Sequence, residues 1–421
     1  MRILVISPRP PYSLTDGAWL CAYNIFKQLA AYHEIYLLSF YKKSDGGRLG
    51  AELRDIFRET HMVELESNRR HICRYIKNVL SWGSGWYMRE QNPVIYSRFK
   101  EKMTELVYSK NIDVVHCLLL GMAEFAFNIE DCVRVLHVID SETLRMKRLI
   151  SSRSAWNHFR NVGQLIHYYR LKTFEGNAIK KFDAVITVGK KDLQVLSGLA
   201  PHANIALIPN GVDTEYYHPL PREISECPVV VFFGKMTTPP NRDAVLYFYR
   251  DIFTYVRKTL PTVRFYVVGE SPPEEVRQLS KDENIIVTGY VDDIRKYVSM
   301  ADVVVCPMRK GGGIKNKILE AMSMGRAVVS TSIGAEGVDV THGRNIMIAD
   351  NPEEFAEHVL KLLSDEKLRD KIVVNAGKLV NEKYTWGISC RKYERLCEDL
   401  IGSRKDGIEG PHDNKKPETY D

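Results

Sequence analysis

A chain of 421 residues, 44% apolar and 27% charged, is long enough for two domains with full cores and is ordinary for a globular protein. The formal net charge of +6 permits attraction to phosphates, anionic polysaccharide or a membrane surface, and does not call for nucleic acid as a partner. Its eight cysteines (Cys21, Cys73, Cys117, Cys132, Cys227, Cys306, Cys390 and Cys397) form no Cys-x-x-Cys pair. They read as buried thiols of a reducing compartment, not as a disulfide framework or a zinc site.

The chain opens directly into a strand pattern, Ile3 to Ser7, so no leader is expected and the location reads as cytoplasmic. No apolar stretch approaches the roughly 20 residues that span a bilayer. A proline-stiffened loop follows, then a helix from about Gly17 to Tyr32, capped by Thr15 or Asp16, and a second strand, Ile35 to Ser39. This is a Rossmann-like opening without Gly-x-Gly-x-x-Gly, so a dinucleotide site is not indicated. Residues 69–96 interleave Arg69, Arg70, Arg74, Lys77 and Arg89 with Tyr75, Trp82, Trp86 and Tyr87. That mixture suits a membrane interface, an acceptor groove that stacks sugars on aromatics, or a solvated insertion, and all three stay open. Asp113 to His116 and Val133 to Val138 read as strands, which leaves His137, Asp140, Ser141 and Glu142 at a strand's carboxyl end, where α/β folds place ligands. Arg145 to Lys181 reads as one long helix or two, followed by strands at Asp183 to Val188 and Asn204 to Pro209. Asn210-Gly211 is a turn signal closing a first domain, 1–218. The proline-rich stretch 219–228 reads as a linker.

A second α/β pattern starts with the strand Val229 to Phe233, followed at once by Gly234 and Lys235. Asn241 is expected to cap a helix from Arg242 to Leu260. Strands follow at Val263 to Val268 and Ile285 to Val287, the latter leading into Thr288-Gly289-Tyr290-Val291. The apolar run Asp302 to Pro307 then meets three glycines, Gly311 to Gly313, and a helix expected from about Ile314 to Gly325, with Ile314, Ile318, Ala321 and Met322 on its apolar face. Strand, glycine loop and helix start together favour anion binding, through close backbone approach and the amides and dipole of the helix N-terminus. Lys315 adds a full positive charge. Asn316 and Glu320 share one face, and a carboxylate there can accept hydrogen bonds from two ribose hydroxyls. The arrangement describes a nucleoside diphosphate site; a tight turn before a core helix is the plainer alternative. Asn345 to Ile348 is the last strand of a second domain, 229–385. Helices follow at Pro352 to Leu363, Asp365 to Asn381 and 386–401, and the charged tail 403–421 is expected to be disordered.

The segment Gly-Gly-Gly-Ile-Lys-Asn-Lys-Ile-Leu-Glu-Ala-Met-Ser-Met-Gly, 311–325, resembles the donor segment of the retaining, GT-B-fold glycosyltransferases of family 4. It is most similar to the branch of exopolysaccharide-associated sugar transferases. The resemblance implies two Rossmann-like domains facing a cleft, with the first domain binding acceptor and completed by the helix 386–401. It further implies a nucleotide diphosphate sugar as donor substrate, with no separate cofactor and no metal, and a saccharide or lipid-linked acceptor. A peripheral membrane contact through 69–96 stays open. By resemblance Lys235 and Lys315 face the diphosphate, and His137 and Asp140 stand near the transferred sugar. Gly17, Gly234, Gly311, Gly312, Gly313, Ile314, Asn316 and Glu320 frame the donor, and Tyr290 and Val291 lie beside the base. Two departures stand out: the first of the family's two glutamates falls on Gly312, and a customary second lysine on Pro240. The missing glutamate keeps two other readings open, a non-catalytic nucleotide-sugar-binding protein and a sugar-nucleotide epimerase using Asp140 or Glu142.

Overall fold

The computed structural model describes residues 1–11, 17–42, 51–65, 92–151, 158–221 and 226–405. They form two compact units, Met1–Pro209 with the chain from Ser389 onward, and Asn210–Ile388. Each is built on one parallel sheet.

In the first unit the strands are β1 (Arg2–Ser7), β2 (Glu34–Tyr41), β3 (Glu59–Glu64), β4 (Val114–Leu118), β5 (Val133–Ile139), β6 (Ala184–Thr187) and β7 (Ile205–Leu207), in spatial order 3-2-1-4-5-6-7. The inner strands are continuous apolar runs, as strands covered on both faces must be. Pairing runs in register, with Ile3 facing Ile35 on one side and Val114 on the other. The sequence pattern did not show β3. Its residues, Glu-Thr-His-Met-Val-Glu, are those of a sheet edge, half-exposed and polar. Nor did it show the helix Pro93–Ser109, which buries Phe99, Met103 and Leu106. Arg145 to Lys181 resolves into Glu142–Ser151 and His158–Ile179. The proposed caps Thr15 and Asp16, most of 69–96 and the tail beyond Lys405 lie outside the described residues.

The second unit carries β8 (Val229–Phe233), β9 (Arg264–Val268), β10 (Ile285–Gly289), β11 (Val303–Cys306), β12 (Ala327–Ser330) and β13 (Met347–Ile348), in order 10-9-8-11-12-13. Its first helix starts earlier than expected, at Pro239, with Thr238 as the cap and prolines in the first turn. Proline fits there because the first-turn N–H groups have no partner within the helix. Asn241 is therefore inside the helix, not its cap. Later helices begin as their residues require: the carboxylate of Asp365 accepts from the Leu368 N–H, and Asn351 caps Pro352–Ser364.

Candidate functional site

In a doubly wound sheet the chain leaves the two central strands toward opposite flanks, opening a crevice at their carboxyl ends. In the second unit those strands are β8 and β11. After β8, Gly234 takes φ +143°, and after β9, Gly269 takes φ +149°. A Cβ on Gly269 would lie 1.9 Å from the Gly234 carbonyl oxygen, so the two loops pack backbone against backbone. After β11, Gly311 (φ +114°) and Gly313 (φ +64°) turn the chain in the left-handed region that favours glycine.

The following helix spans Asn316–Ser323, two residues shorter at its start than the sequence suggested, with Lys315 in the cap position. The Lys315 ammonium folds back on its own loop, donating to the carbonyl oxygens of Gly312 (2.6 Å) and Gly313 (2.8 Å). Ile318, Leu319, Ala321 and Met322 bury one face. Ile314 is partly buried, and Gly337 comes so close that a Cβ there would meet it at 2.8 Å. The helix ends as expected at Gly325 (φ +66°), with Gly325 N–H bonded to Met322 and Arg326 N–H to Ala321. These two bonds form a Schellman cap.

Charge is unevenly placed around this crevice. Lys235 reaches Glu270 at 3.0 Å and is half-exposed. Arg309 and Lys310 flank Asp243 at 3.0 and 3.2 Å. Burial works to raise the Asp243 pKa, but the two cations overcome it and hold the carboxyl below its usual range. The Asn316 side chain accepts from Asn210 at 3.3 Å. Burial raises the Glu320 carboxyl to about 7, against an opposing pull from Lys317. Tyr290 is 72% exposed, and Val291 packs on the core edge. Lys317, to which the sequence reading gave no role, lies in the first turn of the same helix. Its ammonium donates to the Asn241 side chain at 2.8 Å and lies 4.1 Å from the centroid of the Phe232 ring. The signal was present in the sequence: Lys317 precedes Glu320 by one helical turn, the spacing at which side chains meet.

The structure gathers Gly234, Lys235, the glycine loop, Lys315, Asn316 and Glu320 within the second unit. His137, Asp140 and Gly17 belong to the first. Gly17 opens the helix Gly17–Leu29. His137 is wholly buried in β5, with Cys21 sulfur 3.9 Å from Nε2 and the His116 ring at 5.4 Å. Burial pulls its pKa down to about 3, so the ring is neutral. Beyond it Ile139 takes φ +65°, a strained conformation for a β-branched residue, and the chain turns through half-buried Asp140 into the helix Glu142–Ser151. Glu175, another residue assigned no chemistry from sequence, closes that helix end. Its carboxylate accepts from Ser141 Oγ (2.9 Å), Glu142 N–H (2.9 Å) and Thr143 N–H (3.1 Å), while Ser141 Oγ takes the Leu144 N–H.

Asp293 caps the helix Ile294–Met300 and pairs with Arg295. Among the described residues no three His, Cys, Asp or Glu side chains converge to hold a metal ion.

Residues 227–365 match the family model described as glycosyl transferases group 1. The fold as a whole is similar to a sucrose-phosphate synthase from Thermosynechococcus elongatus (TM-score 0.69, 14% identity, 96% of this chain and 99% of that one). It is also similar to Anabaena HepE, solved in complex with UDP (TM-score 0.67, 17% identity, 95% and 100%). These neighbours show that the fold is GT-B, and the matched segment supports a glycosyltransferase. Among sequence relatives, a 44.6 kDa protein in the cps region of Klebsiella pneumoniae is 22% identical over 82% of this chain and 94% of its own length. The phosphatidyl-myo-inositol mannosyltransferase of Mycolicibacterium smegmatis is 28% identical over 47% of this chain and 52% of its own length, so the chain spans about half of that relative. No helix among the described residues is long and apolar enough to cross a membrane.

Proposed function

We propose that this protein transfers a hexosyl group from a nucleotide diphosphate sugar to a saccharide or lipid-linked saccharide acceptor. In this reading the anomeric configuration is retained, as in family 4 glycosyltransferases, and the product is a surface polysaccharide or other glycan. The observation that carries the proposal is the glycine loop between β11 and the helix Asn316–Ser323, lying within the segment that matches the group 1 family, with Lys315 folded onto it and Lys317 beside Gly234, which Lys235 follows. Amides at the helix start and fixed lysines stabilise the negative charge that develops on the leaving diphosphate. Glu320 accepts from the ribose, and Tyr290 and Val291 border the base. The departing phosphate takes the acceptor's proton as the new bond forms on the same face. Electrostatics of this kind needs neither metal nor cofactor. His137 and Asp140 serve the sugar end. The acceptor is met on the cytoplasmic side, where 69–96 contacts it or the membrane. Similarity to HepE, solved with UDP, supports a uridine nucleotide as the first donor to try.

The test starts with thermal stabilisation by UDP, GDP, ADP and their sugar conjugates. A ligand at 100 times its dissociation constant contributes about 2.7 kcal/mol. A shift with one base, followed by transfer activity that falls by orders of magnitude in Lys315→Ala, is the expected result. Near-normal transfer by Lys315→Ala overturns the assignment of that lysine. Exposed Gly312, where the family places a glutamate, favours a second reading, a nucleotide-sugar-binding protein without turnover. Nucleotide binding with no transfer to any acceptor supports it.

A further inference from the structure

We propose that Lys317 is the partly buried cation of the donor site, its ammonium binding the diphosphate of the nucleotide sugar; the proposal rests on the donor-site reading above. Three observations carry it. The first is position. The ammonium stands at the carboxyl ends of β8 and β11, against the Phe232 ring on β8 and 3.0 Å from where a Cβ on Gly234 would lie. That is the switch point of the sheet, where phosphates are held in doubly wound folds. Any side chain at Gly234 would crowd the ammonium.

The second is incomplete compensation. An ammonium has three donors, and among the described residues the Lys317 ammonium donates a hydrogen bond only to the Asn241 side chain. No carboxylate among the described residues pairs with it. Glu320 attracts it from one turn along the helix, while Lys315 repels it. Withdrawing a charge partly from water with so little return costs stability unless a ligand completes the pairing. Burial accordingly pulls its pKa down to about 8. The third is contrast with its neighbours. Lys235 has Glu270, and Lys315 has the carbonyl oxygens of its own loop. Lys317 also stands against the same segment as Pro240, since its partner Asn241 is the next residue.

Below pH 8 Lys317 is charged in the unliganded protein. A bound diphosphate raises its pKa, so above pH 8 binding must take up a proton. The titratable groups facing it are Lys315, Glu320 and the Cys306 thiol at the end of β11. At pH 9 Glu320 is fully ionised, and burial keeps the thiol above its usual range.

The experiment is calorimetric titration of the full chain and Lys317→Met with UDP, and with GDP and ADP, between pH 7 and 9.5. Wild-type affinity is expected to fall by up to tenfold per pH unit above 8, with proton uptake at pH 9 measured in buffers of different ionisation enthalpy. Lys317→Met should be at least as stable as wild type without nucleotide, bind at least tenfold more weakly at pH 7.5, and show no such pH slope. A structural lysine would give the reverse: lost stability with affinity retained. Wild type that binds nucleotide without proton uptake, or a variant with unchanged affinity and slope, overturns the role of Lys317 alone. Wild type that binds none of the nucleotides overturns the donor site and Lys317 with it. The proton-uptake measurement needs no variant, so it stands even if Lys317→Met fails to fold.

Discussion

Replacing Glu175 by alanine removes the acceptor for two helix N–H groups and one hydroxyl at the start of Glu142–Ser151. Each buried donor left unpaired costs roughly 1–3 kcal/mol. Two backbone donors therefore cost roughly 2–6 kcal/mol. Removing a buried carboxylate returns part of this, because burial is the largest influence on Glu175 and raises its pKa above the ordinary value. The net expectation is a loss of about 2–4 kcal/mol, a factor of roughly 30 to 1,000 in local opening at 1.4 kcal/mol per decade. Hydrogen exchange read on peptides covering 140–146 should show this acceleration for the amides of Glu142 and Thr143. The pH dependence has a definite sign. A carboxyl whose pKa is raised on folding binds its proton more tightly in the native state, so stability falls as pH rises from the unfolded value through the folded one. The difference between wild type and Glu175→Gln, which does not titrate, should shrink over that interval. Unchanged exchange at Glu142 and Thr143 in Glu175→Ala would refute the assignment of Glu175 as the cap.

Gly269→Ala should destabilise the second unit by roughly 2–6 kcal/mol, since overpacking and a non-glycine residue at positive φ each cost about 1–3 kcal/mol. The new methyl would meet the Gly234 carbonyl at 1.9 Å, and a denaturation midpoint equal to wild type would show that this contact is not tight. Glu320, raised to about 7, must ionise to accept from both ribose hydroxyls. The preference for ribonucleotide over 2′-deoxynucleotide should therefore fall between pH 8 and pH 6 in wild type and be small and flat in Glu320→Gln. An identical preference in both proteins would remove Glu320 from the ribose.

Sequence alone carried the two α/β halves, because buried parallel strands leave short, valine-rich apolar runs such as Val229–Phe233 and Val303–Cys306, too short for helices. It also carried the glycine loop and the Gly325 cap, because positive φ is written directly in residue type. It missed what depends on a partner distant in the chain. The edge strand β3 has no apolar run, and exists because β2 offers it hydrogen bonds. Asn241 looked like a cap until Thr238 and two prolines took the helix start. Glu175 becomes a cap only when the fold lays it against a helix that begins more than thirty residues earlier. Lys317 shows the same limit most sharply. Along the chain it is one of several lysines near glycines. Burial, the ring of Phe232 and the amide of Asn241 single it out, and all three are supplied by other elements of the sheet. Local backbone conformation is set by local residue type, and is therefore legible from the sequence. The electrostatic character of a side chain is set by the solvent it loses and the groups it meets, and only the tertiary structure decides those.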